Sequence, residues 1–212
     1  MNRRVLIALA LVAVFATALP ASAQSDENEG APDETATSEV TTAESDGFVL
    51  VFPVLSEETR FSDSFGHSRS EGRSHKGNDL LAERGTPIAA AADGRVARMT
   101  YGARAGFYMV IDHGNGYSTW YMHLNNDSEG TDDGLGGAEA AFATELEVGD
   151  PVAAGQVVAY VGDSGNAERT TPHLHFELRV FNTALDPYVD LVDSFERYLL
   201  ENEIEEGDTP FK

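Results

Sequence analysis

The sequence predicts a mainly β protein built on an antiparallel sheet, with a short helix at its C-terminal end. The first evidence is alternation: glycines and alternating apolar residues predict strands at residues 86–91, 95–99, 107–112, 117–123, 157–161 and 173–181, after a first strand at the apolar residues 48–52. The second is Gly114-Asn115-Gly116, a typical hairpin turn between two of these strands. The third is residues 188–205, where Val189, Val192, Phe195 and Leu199 recur at helical spacing.

A weak internal repeat supports the antiparallel assignment. Residues 85–90 read Gly-Thr-Pro-Ile-Ala-Ala, and residues 149–154 read Gly-Asp-Pro-Val-Ala-Ala. A Gly-x-Val strand start follows each copy, at Gly94-Arg95-Val96 and Gly155-Gln156-Val157. Two copies of one β unit predict a sheet with approximate twofold symmetry.

The first residues predict export from the cell. Arg3 and Arg4 precede an apolar run at residues 5–19, and Ala21-Ser22-Ala23 has the small-x-small pattern of a signal-peptidase site. We therefore assign residues 1–23 to a signal peptide, with an uncleaved anchor as the alternative. No later segment is apolar and long enough to cross a bilayer, so we expect no stable membrane span after cleavage.

Composition divides the rest of the chain. Residues 24–47 carry eight acidic residues, no basic residue and no aromatic one, which predicts a disordered linker. Residues 48–187 form the predicted domain, and residues 188–212 form the helical tail.

Removing residues 1–23 takes away two of the 14 basic residues and none of the 36 acidic ones, so the net charge changes from −22 to −24. Such a chain repels nucleic acid and anionic lipid. The protein has no cysteine, so any metal site must use His and carboxylate ligands.

The densest chemical signal lies in the last predicted strand. His173, His175, Glu177 and Arg179 alternate with apolar residues, so both imidazoles project from one face, about 6.5 Å apart along the strand. One His could bind a metal while the other acts beside it. Two surface histidines on an amphipathic strand would give the same pattern.

A second cluster, His75-Lys76-Gly77-Asn78-Asp79, precedes a predicted strand. His75 and Asp79 can close on one ion if the backbone bends, which Gly77 permits. With one histidine of the H-x-H pair, they would form a set of three ligands that leaves the fourth position of zinc open, as in catalytic sites. A capping Asp beside a solvated His would explain this segment equally well. His123, at the end of the strand 117–123, gains weight only in combination with the others.

Together these motifs resemble the lysostaphin-type (LytM-like) peptidoglycan endopeptidases. The family carries H-x-G-x-D, Y-x-H-L and H-x-H in this order, here at residues 75–79, 121–124 and 173–175. The segments 85–88, 92–94, 112–117, 148–150 and 154–156 match as well, so the resemblance extends over about residues 61–180.

The resemblance implies the fold, the metal and the residue roles. The fold would be the duplicated hybrid motif, an antiparallel β sandwich. Zinc would be held by His75, Asp79 and His175. The general base would be His173, and His123 would orient groups or stabilise the transition state. The substrate would be the peptide part of peptidoglycan, acted on by a secreted or cell-envelope enzyme that we expect to be a monomer.

Two loops depart from the family pattern. Residues 125–147 form a longer, acidic, glycine-rich segment that we expect to pack weakly. It could be a lid over the groove, a calcium loop using Asp127, Glu129, Asp132 and Asp133, or a solvated loop; no calcium spacing matches. Residues 165–172 should border the substrate groove. His67 and His113 receive no site role, and a turn or capping function is expected for His113.

Three other functions are possible for such a sequence, and each has a feature that counts against it. The main alternative is a non-catalytic peptidoglycan-binding activator of other wall hydrolases, which would be favoured by a missing ligand, but all five key residues are present. Phosphotransfer and biotinyl carriers share the hybrid fold, but export and the lack of a Met-Lys-Met context count against them. A jelly-roll metalloprotein would need further Glu and His ligands.

Overall fold

A computed structural model describes residues 48–207, so the predicted signal peptide and linker lie outside the described residues. Its elements are nine strands and two α-helices: β1 (Asn78–Leu81), β2 (Pro87–Ala89), β3 (Gly94–Gly102), β4 (Gly106–Gly114), β5 (Tyr117–Leu124), α1 (Gly137–Ala141), β6 (Pro151–Val152), β7 (Val157–Tyr160), β8 (His173–Val180), β9 (Thr183–Leu185) and α2 (Tyr188–Gly207). Two 3₁₀ turns, Ser70–Gly72 and Gly165–Ala167, lie in loops. The predicted mainly β fold with a C-terminal helix is confirmed.

The strands form two antiparallel sheets. The large sheet has the order β1-β8-β5-β4-β3-β6, with β9 also paired to β8, and the small sheet consists of β2 and β7. The hairpin between β4 and β5 turns at Asn115 and Gly116, whose φ values of 51° and 84° are typical of a type I′ turn. The predicted Gly-Asn-Gly turn is therefore confirmed.

The internal repeat corresponds to a reciprocal exchange of strands between its two copies. The first copy supplies β2 and β3, and the second supplies β6 and β7. β2 pairs with β7, and β6 pairs with β3, so the first strand of each copy pairs with the second strand of the other copy. The approximate twofold relationship predicted from the sequence is thus visible in the strand pairing.

The core lies under the large sheet, where one face of the central strands is fully buried. Met109 and Ile111 of β4, Tyr121 of β5 and Leu174 and Phe176 of β8 have no exposed surface. The Tyr121 hydroxyl accepts a hydrogen bond from the backbone N–H of Ala91 at 2.8 Å. This bond ties the β2–β3 connection to the large sheet.

Helix α2 covers the beginning of the domain. Leu191 is fully buried, and the Phe195 ring lies 4.6 Å from the ring of Phe52. The predicted helix is confirmed, but its contact face is rotated from the predicted one, because Val189 remains 69% exposed. Among the described residues, no helix is apolar and long enough to span a bilayer.

Two local predictions are wrong. Residues 48–52 do not form a strand; Val51 N–H bonds to Ala91 O beyond the end of β2, and the backbone bonds to β2 itself come from Pro53 and Leu55. Pro53 has no N–H to continue a ladder. Asp79 lies within β1 rather than ahead of a strand, since β1 begins at Asn78. The short strands β1, β6 and β9 were too brief to show alternation.

The segment 125–147 packs more firmly than the sequence indicated. It includes α1, and the side chain of Asp127 within it is fully buried against Arg84. Arg84 also contacts Asp132 and Asp163, so its guanidinium lies among the acidic groups that a calcium ion would need. Asp133 instead accepts backbone hydrogen bonds from Ser128 and Leu135, and Glu129 is exposed. These contacts contradict the expected weak packing.

Candidate active site

Strand pairing places two of the predicted metal ligands side by side. In the antiparallel β1–β8 pair, Asp79 lies directly opposite His175. The close approach depends on Gly77, because a Cβ at that position would be 2.0 Å from the carbonyl oxygen of Phe176. Gly77 therefore serves close packing against β8, which is a different reason from the backbone bend predicted from the sequence.

His75 completes the cluster from the preceding loop. Its Nε2 lies 3.0 Å from Asp79 Oδ1 and 2.8 Å from His175 Nδ1, and His175 Nδ1 lies 2.9 Å from the same Asp79 oxygen. Both imidazoles are almost fully buried. The sequence-predicted ligand set is thus brought together at one point, at the floor of a groove.

Hydrogen bonds on the far side of each ring determine which nitrogen faces this point as an acceptor. His75 Nδ1 lies 2.8 Å from the carbonyl oxygen of Ser64, so it must carry the proton. His175 Nε2 lies 3.1 Å from the Glu177 carboxylate and donates to it. The two remaining ring nitrogens and the Asp79 carboxylate then meet as three acceptors, an arrangement that needs a proton or a cation between them. Two imidazole nitrogens and one carboxylate oxygen fit zinc.

The pKa shifts follow from the same contacts. Burial acts to lower the pKa of His175, but hydrogen bonds to Asp79 and Glu177 outweigh it and raise this pKa. Burial acts to raise the pKa of Asp79, and the hydrogen bonds from His175 and His75 outweigh it, so this carboxyl stays ionised. The centre therefore attracts positive charge, which a metal cation would supply in place of the proton.

A supporting relay behind His175 was not predicted from the sequence. Glu177 is buried, and its second oxygen accepts from Arg179 Nε at 2.6 Å. The Arg179 guanidinium in turn lies 4.2 Å from the centre of the Trp120 ring. Carboxylates that hold the outer nitrogen of a metal-binding His fix its orientation and raise its basicity. The alternation in β8 placed Glu177 and Arg179 on the correct face, which was the available signal.

Asp79 has a second partner that the sequence did not reveal. Arg69 Nη2 donates to Asp79 Oδ2 at 2.5 Å, and the two imidazoles contact the other oxygen, Oδ1. The pair is partly exposed. Arg69 thereby holds one carboxylate oxygen and leaves the other directed toward the histidines.

His123 and His173 lie on the other side of the groove. Their ring centres are 5.2 Å apart, and the ring of His123 is 6.0 Å from that of His175. His173 Nδ1 donates to the Thr171 carbonyl at 2.8 Å, which leaves its Nε2 as an acceptor. The geometry brings all five predicted site residues to one groove.

The backbone at His123 is in the left-handed region, with a φ of 59°. A non-glycine residue with positive φ is uncommon and often occurs at functional sites. Its N–H donates to Ala105 O at 2.9 Å, and its Nδ1 donates to Ser164 O at 2.9 Å. Burial, partly offset by the hydrogen bond to Ser164, lowers the pKa of His123 to about 4. His123 is therefore neutral at pH 7, with Nε2 as an acceptor.

The groove has a volume of about 780 Å³. Loop 165–172 contributes Asn166, Ala167, Thr170 and Thr171 to its wall, as predicted. None of its lining residues comes from segment 125–147, which counts against the lid among the alternatives given for that segment. The outer wall is formed by residues 69–76 and 104–105 instead.

The two remaining histidines lie apart from the cluster. His113 bridges two elements, with Nδ1 2.8 Å from Asp93 O and Nε2 2.8 Å from Thr119 Oγ1. His67 is exposed, and its backbone carbonyl accepts the His75 N–H at 2.9 Å. Neither side chain lines the groove.

Comparisons with known proteins agree with this geometry. The chain is 34% identical over 108 residues to the peptidoglycan DD-endopeptidase ShyC of Vibrio cholerae, covering 51% of this chain and 21% of ShyC. Among solved structures, a zinc-containing peptidase from Vibrio cholerae has a TM-score of 0.51 at 26% identity, covering 65% of this chain and 39% of that one. The catalytic domain of lysostaphin from Staphylococcus simulans has a TM-score of 0.50 at 27% identity, covering 63% and 92%.

The extent of these similarities differs between relatives. The chain spans about a quarter of the length of the curated relatives that it matches. Peptidase family M23 matches residues 73–133 and 138–187, which include every residue of the histidine–aspartate cluster. Because that match extends over more than half of the chain, the resemblance seen in the motifs is confirmed, and this protein belongs to peptidase family M23.

Proposed function

We propose that the protein is an exported, zinc-dependent endopeptidase that hydrolyses peptide bonds in peptidoglycan at the cell envelope. The observation that carries the proposal is the meeting of three acceptors, on His75, Asp79 and His175, beside two further imidazoles in one groove. The names of the relatives, among them a DD-endopeptidase and a zinc-containing peptidase, support the same substrate class and metal. Export rests on the signal-like residues 1–23.

Each residue has a role that its hydrogen bonds permit. Zinc held by His75, Asp79 and His175 would supply an activated water and polarise the scissile carbonyl. His173 Nε2 is free to take the proton of the attacking water and to return it to the amine leaving group. His123 is neutral, and its acceptor Nε2 suits the orientation of a hydrogen-bond donor on the water or substrate.

The test is metal analysis followed by digestion of cross-linked muropeptides. Purified protein should contain about one zinc per chain, and mass spectrometry should detect new peptide termini. His175→Ala should lose both zinc and hydrolysis, whereas the matched control His67→Ala, an exposed histidine outside the groove, should keep both.

The same assay distinguishes the activator alternative. A non-catalytic activator would release no products by itself and would increase the rate of a separate wall hydrolase. Tight zinc retention by His175→Ala would show that the ligand assignment is wrong. Zinc binding without any cleavage of cross-linked peptides would contradict the proposed activity.

A further inference from the structure

The groove is basic, although the protein as a whole is strongly acidic. Five of the eleven Lys and Arg residues in the described part of the chain line it: Arg69, Arg73, Lys76, Arg104 and Arg179. Of the acidic residues in the same part of the chain, two line it, Asp79 and Glu177. Because the whole chain has a net charge of −22, a groove lined mainly by basic side chains differs in sign from the rest of the protein and indicates a negatively charged ligand.

Two of the five basic side chains form ion pairs with acidic residues of the site. Arg69 pairs with Asp79, and Arg179 pairs with Glu177. Within the described residues, the side chains of the other three, Arg73, Lys76 and Arg104, form no hydrogen bond or ion pair with the ligands or with their supporting residues. They form a separate basic set, which we call the basic rim.

Among the described residues, Glu71 is the one acidic side chain that pairs with the basic rim. Arg104 Nη2 lies 2.9 Å from Glu71 Oε2, and Arg73 Nε lies 3.7 Å from the same oxygen. The Glu71 side chain is 70% exposed, and Arg104 is 59% exposed, so the pairing is accessible to solvent. Arg73 Nε is buried yet donates no hydrogen bond within the described residues. Three cations and one carboxylate leave a net charge of +2, and one buried donor remains unused.

The basic rim is held close to the catalytic histidines by backbone bonds. Arg104 precedes Ala105, whose carbonyl accepts the N–H of His123 at 2.9 Å, and its own carbonyl accepts the N–H of Asn166 at 3.1 Å. Arg73 precedes the ligand His75 by two positions, and Lys76 follows it directly. A carboxylate bound between these cations would therefore lie in the groove that also holds the cleavage centre.

We propose that Arg73, Lys76 and Arg104 form a carboxylate-binding subsite that selects peptidoglycan stem peptides with a free carboxylate near the cleaved bond. Guanidinium groups match carboxylates in geometry and charge. A bound carboxylate would replace Glu71 as the partner of Arg104 and lie beside the partly exposed guanidinium of Arg73. An uncharged glycine bridge would gain nothing from this subsite, so the groove favours anionic stem peptides. The proposal rests on the proposed function, since it concerns the same substrate.

The test compares one cross-linked stem-peptide dimer in two forms, with free carboxylates and with those carboxylates amidated. The wild-type kcat/KM should be about 3–10-fold higher for the free form, the range expected for two partly exposed ion pairs. This preference should shrink with added salt, because screening weakens exposed charges. Arg73→Gln and Arg104→Gln combined should bring the ratio close to one.

Two matched variants separate charge from structure. Arg60→Gln removes an exposed arginine outside the groove and should leave the ratio unchanged. Arg104→Lys keeps the charge and should retain most of the preference. Zinc content and the unfolding midpoint, measured for every variant, identify any variant that fails to fold.

A second measurement keeps the two proposals distinguishable. Calorimetric binding of the uncleaved single stem peptide, free and amidated, reports on the subsite without any hydrolysis. If neither dimer is cleaved, the proposed activity fails, and the binding preference still decides the subsite. Equal kcat/KM and equal affinity for the two forms, or an unchanged ratio in the double variant, would overturn the subsite.

Discussion

Replacing Glu177 by Gln tests the buried relay behind the metal site. Glu177 accepts from His175 Nε2 at 3.1 Å with one oxygen and from Arg179 Nε at 2.6 Å with the other. Glutamine has nearly the same shape, but only one acceptor oxygen. Whichever way its amide is turned, its NH₂ group faces a donor, either His175 or Arg179.

The magnitude follows from burial and from the role of the relay. The Glu177 and Arg179 side chains are only 5% and 11% exposed, so the lost contact is not replaced fully by water. Removing the partner that orients a metal-binding His typically weakens metal binding about 10–100-fold. That range corresponds to about 1.4–2.8 kcal/mol of zinc-binding free energy.

The assay is competition for zinc against a chelator of known affinity. Glu177→Gln should have a zinc Kd that is about 10–100-fold higher than that of the wild type. The control Glu201→Gln makes the same chemical change at an exposed position of α2 and should bind zinc normally. An unchanged zinc Kd in Glu177→Gln would refute the argument that this carboxylate prepares His175 for the metal.

Three further predictions concern the same site. His173→Ala should keep its zinc but lose about 10²–10⁴-fold in turnover, the usual contribution of a general base; near-normal turnover would place the base elsewhere. Gly77→Ala should lose zinc and about 1–3 kcal/mol of unfolding free energy, because its Cβ would overlap Phe176 O. The control Gly102→Ala, with Tyr108 3.6 Å away, should stay close to wild type in both measurements. Above pH ~6.5, where the lowered pKa of His123 no longer changes the stability, the raised pKa of His175 predicts that the metal-free protein loses stability as the pH rises through the folded-state pKa of His175. Denaturant unfolding across this range checks it, and saturating zinc should reduce the dependence.

The sequence predicted the site better than it predicted the surroundings of the site. Alternation in 173–180 placed His173 and His175 on one face, and the motifs joined them with His75, Asp79 and His123. The structure brings these five residues together. The ion pair between Glu177 and Arg179 could not be predicted in the same way, because alternation places two side chains on one face but does not show that they pair with each other.

Long-range contacts explain the local errors. Segment 48–52 has the apolar composition of a strand, yet it bonds through Val51 to Ala91, beyond the end of β2, and packs against α2. Segment 125–147 has the composition of a solvated loop, yet Asp127 is fixed by Arg84, some 40 residues earlier in the chain. Neither partner is visible in the local sequence.

The reciprocal exchange of strands affects the order in which the chain can fold. Ile88 pairs with Ala159 and Gly94 with Val152, so neither copy of the repeat can satisfy its own backbone groups. A chain that is made with its N-terminal end first would keep one edge of β2 and one edge of β3 unpaired until the second copy follows. Such distant pairings slow folding and leave edges open to wrong partners. The two copies should therefore become structured in one step, after both have become available for pairing.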